Sequence, residues 1–321
     1  MGNNTPRRHH YVPQLLLRNF AGPNGRIWVY DANRKKKWLA MPDTAGFERD
    51  LYARARKGAA PDFDTIEKFF ADEVDGPGAA AISGLLGSEC LDVDRWQAFL
   101  NFVGAQMVRT PGAFERLQEF HDPHINEMFR RMAAFDLRFR AGVTERFQKR
   151  GANAAEIDKF FESVQNGQTT ATASREFILQ QAIRMIETIF TELRRMKWTF
   201  LAVRDGEPDI IIGDQPVVLT NPNEGPFGLA TPGSELLLPL SPRMVACARH
   251  DGPESYGQLG LEMSELIIER TLRHANRFVF APFDSEDLLQ DMVRLNGTGP
   301  KMHTRRVNVD GKLMIAQEYR H

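Results

Sequence analysis

Cysteine is scarce in this 321-residue sequence: Cys90 and Cys247 are the only two. That is too few for a disulfide scaffold and fits a reducing compartment. Long hydrophobic runs are missing as well. Nowhere do eighteen uncharged apolar residues follow one another, and no apolar stretch of signal-peptide length lies behind the basic start MGNNTPRRHH. A soluble, cytoplasmic protein with no membrane partner is therefore expected. A surplus of charge of one sign is the third absence. Lys and Arg number 41 against 42 Asp and Glu, for a net charge of -1, so no whole-surface attraction to nucleic acid or anionic membrane operates and only a local basic patch remains open. Internal repeats are absent too.

What is present reads as an α+β chain: a small N-terminal β region, a central helical bundle, and a C-terminal mixed β-sheet with helices. The expected organisation is one domain over 1–321, with subregions at 7–60, 61–196 and 197–321. Residues 26–31 (RIWVYD) and 37–41 (KWLAM) flank the polar DANRKK as a hairpin would, and FERDLYA at 47–53 reads as a third extended segment. From Phe63 to Met196 apolar residues recur at helical spacing. Asp64 is placed to cap IEKFFADEV, Asp92 or Asp94 to cap RWQAFLNFVGAQMVRT, and Pro123 marks a helix restart. After Lys197 the short apolar runs KWTFLAVRD, PDIIIGD, PVVLT, ELLLPL and MVACARH turn to strand character. Helices at LEMSELIIERTLRHAN and SEDLLQDMVRL follow, and a closing hairpin is expected to turn at Asp310-Gly311.

HHYVPQLLLRNF, GRIWVYD, ERDLY, MVRTP, GDQPVVLTNP and LPLSP occur in that order. Together they resemble the bacterial domain-of-unknown-function family 4238, from near residue 7 to about residue 282. The resemblance implies an intracellular bacterial protein of a family with no established activity.

Two stretches carry candidate chemistry. His9 and His10 must point to opposite faces if they lie on a strand, so at most one joins a given site. An imidazole serves as general base or metal ligand near neutrality, and Tyr11, Gln14 and Arg18 follow closely enough to hold a phosphate or carboxylate. HHYVP is also similar to the HH-I-x-P-like string of ββα-metal nucleases, but no further histidine follows until His121, so half of that motif is lacking. The bland alternative is that the histidine pair anchors the terminus through backbone hydrogen bonds. In IIIGDQPVVLTNP an apolar strand presents Asp214 at its tip, and Asn221 follows the next strand. Asp214 is then either a ligand at a strand end or a turn aspartate accepting main-chain N–H bonds.

Glu48 and Asp50 share a face, as a cation or an arginine would require, with Arg49 between them; an edge ion-pair network is the alternative. Arg109, next to Thr110-Pro111, is a candidate anion clamp or simply a cation at a helix C-terminus. H-D-P-H at 121–124 has no third ligand nearby in sequence and reads as surface punctuation. Two functions compete. In the first, a divalent metal held by His9, Glu48 and Asp50 hydrolyses phosphodiester bonds of nucleic acid, with His10 and Asp214 catalytic. In the second, a non-catalytic module binds a small anionic ligand through Arg18, Arg49 and Arg109, with Tyr11, Gln14 and Asn221 on its rim, or docks a protein partner.

Overall fold

The first strand is brief because two signals stop it. β1 (Arg8–His10) pairs antiparallel with β4 (Phe47–Arg49) in the register Arg8↔Arg49, His9↔Glu48, His10↔Phe47. Pro13 then opens α1 (Gln14–Asn19), whose Leu16 and Leu17 are fully buried. β4 stops at Arg49 because Asp50 is left-handed, at φ 60°. Alternation buries His9 and leaves Arg8 in solvent. Between these strands Gly46, at φ 62°, lets the chain pass so close to Val12 and Leu17 that an added Cβ would lie 3.0 Å from each. The computed structural model describes the backbone of residues 7–54, 61–309 and 312–320 and the side chains of residues 7–54 and 61–300.

The expected hairpin forms from β2 (Ile27–Asp31) and β3 (Lys36–Ala40), but the small N-terminal sheet consists of β1 and β4 and the hairpin joins strands from the C-terminal region. β2 also pairs with β11 (Phe278–Ala281), and β6 (Ile212–Gly213) lies beyond, giving the order β3-β2-β11-β6. The lock is electrostatic: Asp31, fully buried, takes the Arg277 guanidinium through Nε at 3.0 Å and Nη2 at 2.6 Å. Its Oδ1 also accepts N–H bonds from Asn33 and Arg34, closing the turn after β2.

A second sheet has the order β10-β5-β9-β8-β7, with β5 (Lys197–Val203), β7 (Val218–Thr220), β8 (Glu235–Ser241), β9 (Met244–Arg249) and β10 (Ser255–Leu259). β10 runs parallel to β5, and the other pairings are antiparallel. α9 (Leu261–His274) serves both sheets. Its Ile267 packs with Val203, Val218, Leu237 and Val245, while its Leu272 packs with Tyr30, Val279 and, from α10 (Glu286–Leu295), Leu288 and Met292. β12 (Lys301–Val309) and β13 (Lys312–Arg320) pair antiparallel as a hairpin; its expected turn at Asp310-Gly311 lies outside the described residues.

The helices begin with an irregularity. α2 (Thr65–Phe69) passes into a π-helical segment (Phe70–Asp75) and then α3 (Gly76–Leu86) without a break. Pro77 explains the wide turn, since its ring cannot sit against the carbonyl four residues back, that of Glu73. Asp64 does not cap this helix; Asp62 accepts the N–H bonds of Asp64 and Thr65 instead. α4 (Val93–Val108) is capped by Asp92, one of the two expected candidates, and lays Trp96 and Phe99 on Trp198 and Phe200 of β5. α5 runs unbroken from Pro111 to Phe135, carrying Pro123 inside it where a restart was expected. α6 (Leu137–Gln148), α7 (Ala154–Gln165) and α8 (Arg175–Leu193) follow.

The chain forms two compact units, residues 1–113 with 182–321, and residues 114–181. The smaller unit has its own core of Ala133, Ile157, Phe161 and Val164, and an Asn153/Glu156 capping box starts α7. Among the described residues no helix is long and apolar enough to cross a membrane.

Candidate functional site around His10

β1 sends its two histidines in opposite directions. His9 is buried and stacked on Tyr52, with ring centroids 5.3 Å apart, and its Nδ1 accepts the Tyr52 main-chain N–H at 2.7 Å. His10 turns to the other face and stays half-buried. Its Nε2 donates to the Asp43 carbonyl at 3.3 Å, and the Gln14 amide nitrogen lies 3.5 Å from the same ring atom. Gln14, one turn before Arg18 on α1, accepts from the Arg18 guanidinium at 2.7 Å. Thus His10, Gln14 and Arg18 share one rim, drawn together by a strand, a proline-started helix and the loop before β4.

Behind this rim lies a buried cation. Arg109, at the C-terminus of α4, is 1 % exposed. It donates to Asp75 Oδ1 at 2.6 Å and to the His10 carbonyl at 2.6 Å, and its guanidinium carbon lies 4.4 Å from the centre of the Phe70 ring. The Tyr52 hydroxyl donates to the Arg109 carbonyl at 2.9 Å. Burial alone would lower the guanidinium pKa, but Asp75 and Tyr52 outweigh it and the group is held more firmly charged than usual. The helix-end cation expected to clamp a ligand is instead a strut: it ties α4, the π segment and β1 together and fixes the backbone of His10.

Glu67 completes the cluster. Its Oε1 faces the His10 main-chain N–H at 3.4 Å, while Oε2 is buried with no hydrogen-bond partner. Burial pushes this carboxyl up to about 7 against the opposing pull of Arg109. Burial also lowers the His10 imidazole, and Arg109 adds to that effect. Gln106, one turn before Arg109 on α4, is 1 % exposed, and neither atom of its amide has a hydrogen-bond partner.

The raised carboxyl sets a pH dependence of stability. Below its ordinary value Glu67 is protonated in both folded and unfolded chains; as pH rises from about 4.5 to about 7 the unfolded chain ionises first and the fold is progressively penalised. His10 acts with the opposite sign, penalising the fold as pH drops below 6.5. Glu67→Gln is therefore expected to raise the melting temperature at pH 8 and gain little at pH 4. Equal effects at both pH values would rule out a buried neutral carboxyl at this position.

The other sequence candidates are placed elsewhere or differently. Asp214 is 4 % exposed, and its carboxylate accepts main-chain N–H bonds from Asn276 at 2.7 Å and from Arg277 and Phe278 at 2.8 Å each. It is a clamp on the turn from α9 into β11, which corrects the catalytic role expected of it. Tyr11 is 4 % exposed and belongs to the core rather than to a ligand rim. Burial, then the charges of Asp214 and Glu48, hold its phenol well above the usual range. The charge of Asp214 acting on the Tyr11 phenol puts the chain just after β1 in the neighbourhood of Asp214. Asn221 braces its own loop, donating to the Pro226 carbonyl at 2.8 Å and accepting from Asn223 N–H at 3.0 Å.

Nor do His9, Glu48 and Asp50 form the expected metal centre. His9 is committed to Tyr52, and Asp50 forms a two-pronged pair with Arg7, one prong being Nε to Oδ1 at 2.8 Å. Among the described residues, no group of three or more His, Cys, Asp or Glu side chains is arranged to hold a metal ion. Sequence reasoning missed Glu67, Asp75 and Tyr52. The one available signal was Gly76-Pro77 inside a helical run, which marks the wide turn that ends on Asp75.

Residues 8–284 match the family described as protein of unknown function, DUF4238. The chain belongs to that family. No curated protein and no solved structure matches it. The DUF4238 match begins at Arg8 and ends within the segment between β11 and α10, so the rim at His10, the strut at Arg109 and the clamp at Asp214 all fall inside it.

Proposed function

We propose that the chain is an enzyme that transfers protons at His10 and Glu67 on an anionic substrate, with phosphodiesters as the substrate class. One observation carries this reading: the half-buried His10 imidazole shares a rim with Gln14 and Arg18, while the Glu67 carboxyl, pushed up to about 7 by burial, lies against the His10 main chain beside the buried Arg109. Neutral His10 acts as general base and protonated Glu67 as general acid. Gln14 and Arg18 orient the substrate, and Arg109 positions His10 through its carbonyl. The clustering of Arg8, Arg18 and Arg49 on or beside the same face favours an anion.

The test is hydrolysis of bis(p-nitrophenyl) phosphate and of RNA and DNA oligonucleotides, run with chelator and separately with magnesium or manganese. His10→Ala is expected to lower the rate by roughly 10²–10⁴ with an unchanged melting temperature. The kcat/KM profile should be bell-shaped, with its acid limb below 6.5 from His10 and its alkaline limb near 7 from Glu67, the latter abolished in Glu67→Gln. Turnover only with metal, and unaffected by His10→Ala, would overturn the reading.

A further inference from the structure

Arg8 and Arg49 lie directly opposite each other on the β1–β4 ladder. Asp50 N–H donates to the Arg7 carbonyl at 2.9 Å and Tyr11 N–H to the Gly46 carbonyl at 3.0 Å. The ladder bonds therefore belong to the 7/50 and 11/46 pairs, and Arg8/Arg49 and His10/Phe47 are the non-hydrogen-bonded pairs whose side chains approach most closely. Like charges opposed at such a position repel, and a purely structural ladder gains nothing from them. Both arginines are exposed. Among the described residues Arg49 has only a 3.8 Å approach to Asp50, which is already taken up by Arg7, and Arg8 lies across the Phe47 ring with its guanidinium carbon 5.1 Å from the ring centre. Arg7 repeats the arrangement over Phe63 at 5.0 Å.

By strand periodicity one face of this ladder presents Arg8, His10, Phe47 and Arg49 together, with Arg8 and His10 about 6.6 Å apart along the strand. Arg18 joins this face through Gln14, next to the His10 ring. Four arginines here, Arg7, Arg8, Arg18 and Arg49, stand against three carboxylates, Asp43, Glu48 and Asp50, and alternation puts Glu48 on the opposite face of the ladder, so the patch is positive although the whole chain is not. Guanidinium groups for phosphates, alternating with aromatic and arginine planes for bases, are what a single strand of nucleic acid requires. A two-residue opposed pair on a short ladder does not offer the recognition helix or ribbon that reads a duplex groove.

We infer that this face binds single-stranded nucleic acid, with Arg8 and Arg49 on successive phosphates, Phe47 and the Arg8 plane against a base, and the backbone led past His10. The inference rests on the proposed proton-transfer site for what happens to the strand, but binding is measured without it.

The experiment is fluorescence anisotropy with end-labelled oligo-uridine and oligo-thymidine of twelve nucleotides, a duplex of the same length and unlabelled heparin as competitor, over 50–200 mM salt. The wild type should bind single strands more tightly than duplex. Arg8→Ala/Arg49→Ala should weaken that binding roughly tenfold or more and flatten the salt dependence by about 1.4 in log–log slope, about 0.7 for each phosphate no longer neutralised. Phe47→Leu should weaken single-strand binding by roughly tenfold while sparing heparin, and Arg8→Lys/Arg49→Lys should recover most of the salt slope. Circular dichroism and thermal melting confirm that each variant folds, and all three positions are outside the main core. Binding that persists in a wild type without turnover would remove the enzymatic reading and leave this one standing. Absence of binding, duplex preferred to single strand, an unchanged affinity in the double alanine variant, or a silent Phe47→Leu would overturn it.

Discussion

Arg109→Ala is expected to destabilise the protein by about 3–5 kcal/mol, the range for stranding one partner of a buried ion pair. The guanidinium is 1 % exposed and touches three groups at once: the Asp75 carboxylate, the His10 carbonyl and the face of Phe70. Truncation leaves a cavity between α4, the π segment and β1, and strands Asp75 with a side chain only 20 % exposed. Water reaching that carboxylate places the loss toward the lower end, about 3 kcal/mol. Lysine is no substitute: one ammonium cannot span Asp75 and the His10 carbonyl while lying flat on a ring, so Arg109→Lys should recover less than half. Because domain stabilities are of order 5–15 kcal/mol, the alanine variant should also accumulate poorly. Urea unfolding monitored by circular dichroism supplies the measurement, and a loss under about 1 kcal/mol would show that the strut contributes little. On the proposed proton-transfer reading, turnover of the lysine variant should fall with little change in KM, since what is lost is the placement of His10.

Replacing Asp214 by alanine should cost about 2–4 kcal/mol, for a different reason. No ion pair is broken; instead three main-chain N–H groups, those of Asn276, Arg277 and Phe278, lose their acceptor together, at about 1–3 kcal/mol for each that stays dry. Asn276 is exposed, so water replaces one of the three. Arg277 and Phe278 matter more, because Arg277 carries the guanidinium that locks Asp31, and Phe278 begins β11. The expected consequence is loosening of the β2–β11 junction, read as faster amide hydrogen exchange at Val279 and Phe280. Asp214→Asn should cost less than the alanine change, one amide oxygen still serving the turn. A variant with native exchange at those positions would show the clamp to be dispensable. Burial pushes this carboxyl up to about 6 although three amides pull it down, so a catalytic proton there would have to cross a sealed turn.

The two outcomes separate what local sequence encodes from what it does not. The α4 cap at Asp92, the β2–β3 hairpin and the strands after Lys197 follow from capping chemistry, alternation and turn residues, all acting within a few positions. α5 breaks one such rule. Local preference makes Pro123 a restart, yet the helix continues through it, with Asp122 and Asn126 bracing the segment 171–173 by bonds to Ala173 and Ala171 N–H at 2.7 and 2.8 Å. Tertiary bonds there outweigh a local preference. The same holds for Asp64, which lies two residues from the true acceptor, Asp62.

The candidate site was half legible. Paired histidines on a strand must diverge, so the sequence by itself determined that at most one of them would join a given site. It also determined the α+β class, because apolar periodicity is a local property. Which histidine turned outward depended on the pairing of β1 with β4, about forty residues away, and on Gly46 admitting Val12. Tertiary structure alone decided that Arg109 faces Asp75 and not a ligand, that Glu67 lies against His10, and that Asp214 is spent on three amides. The physical reason is that each of those carboxylates and guanidinium groups takes whichever opposite charge or N–H the fold presents within about 3 Å, and no spacing along the chain specifies that choice.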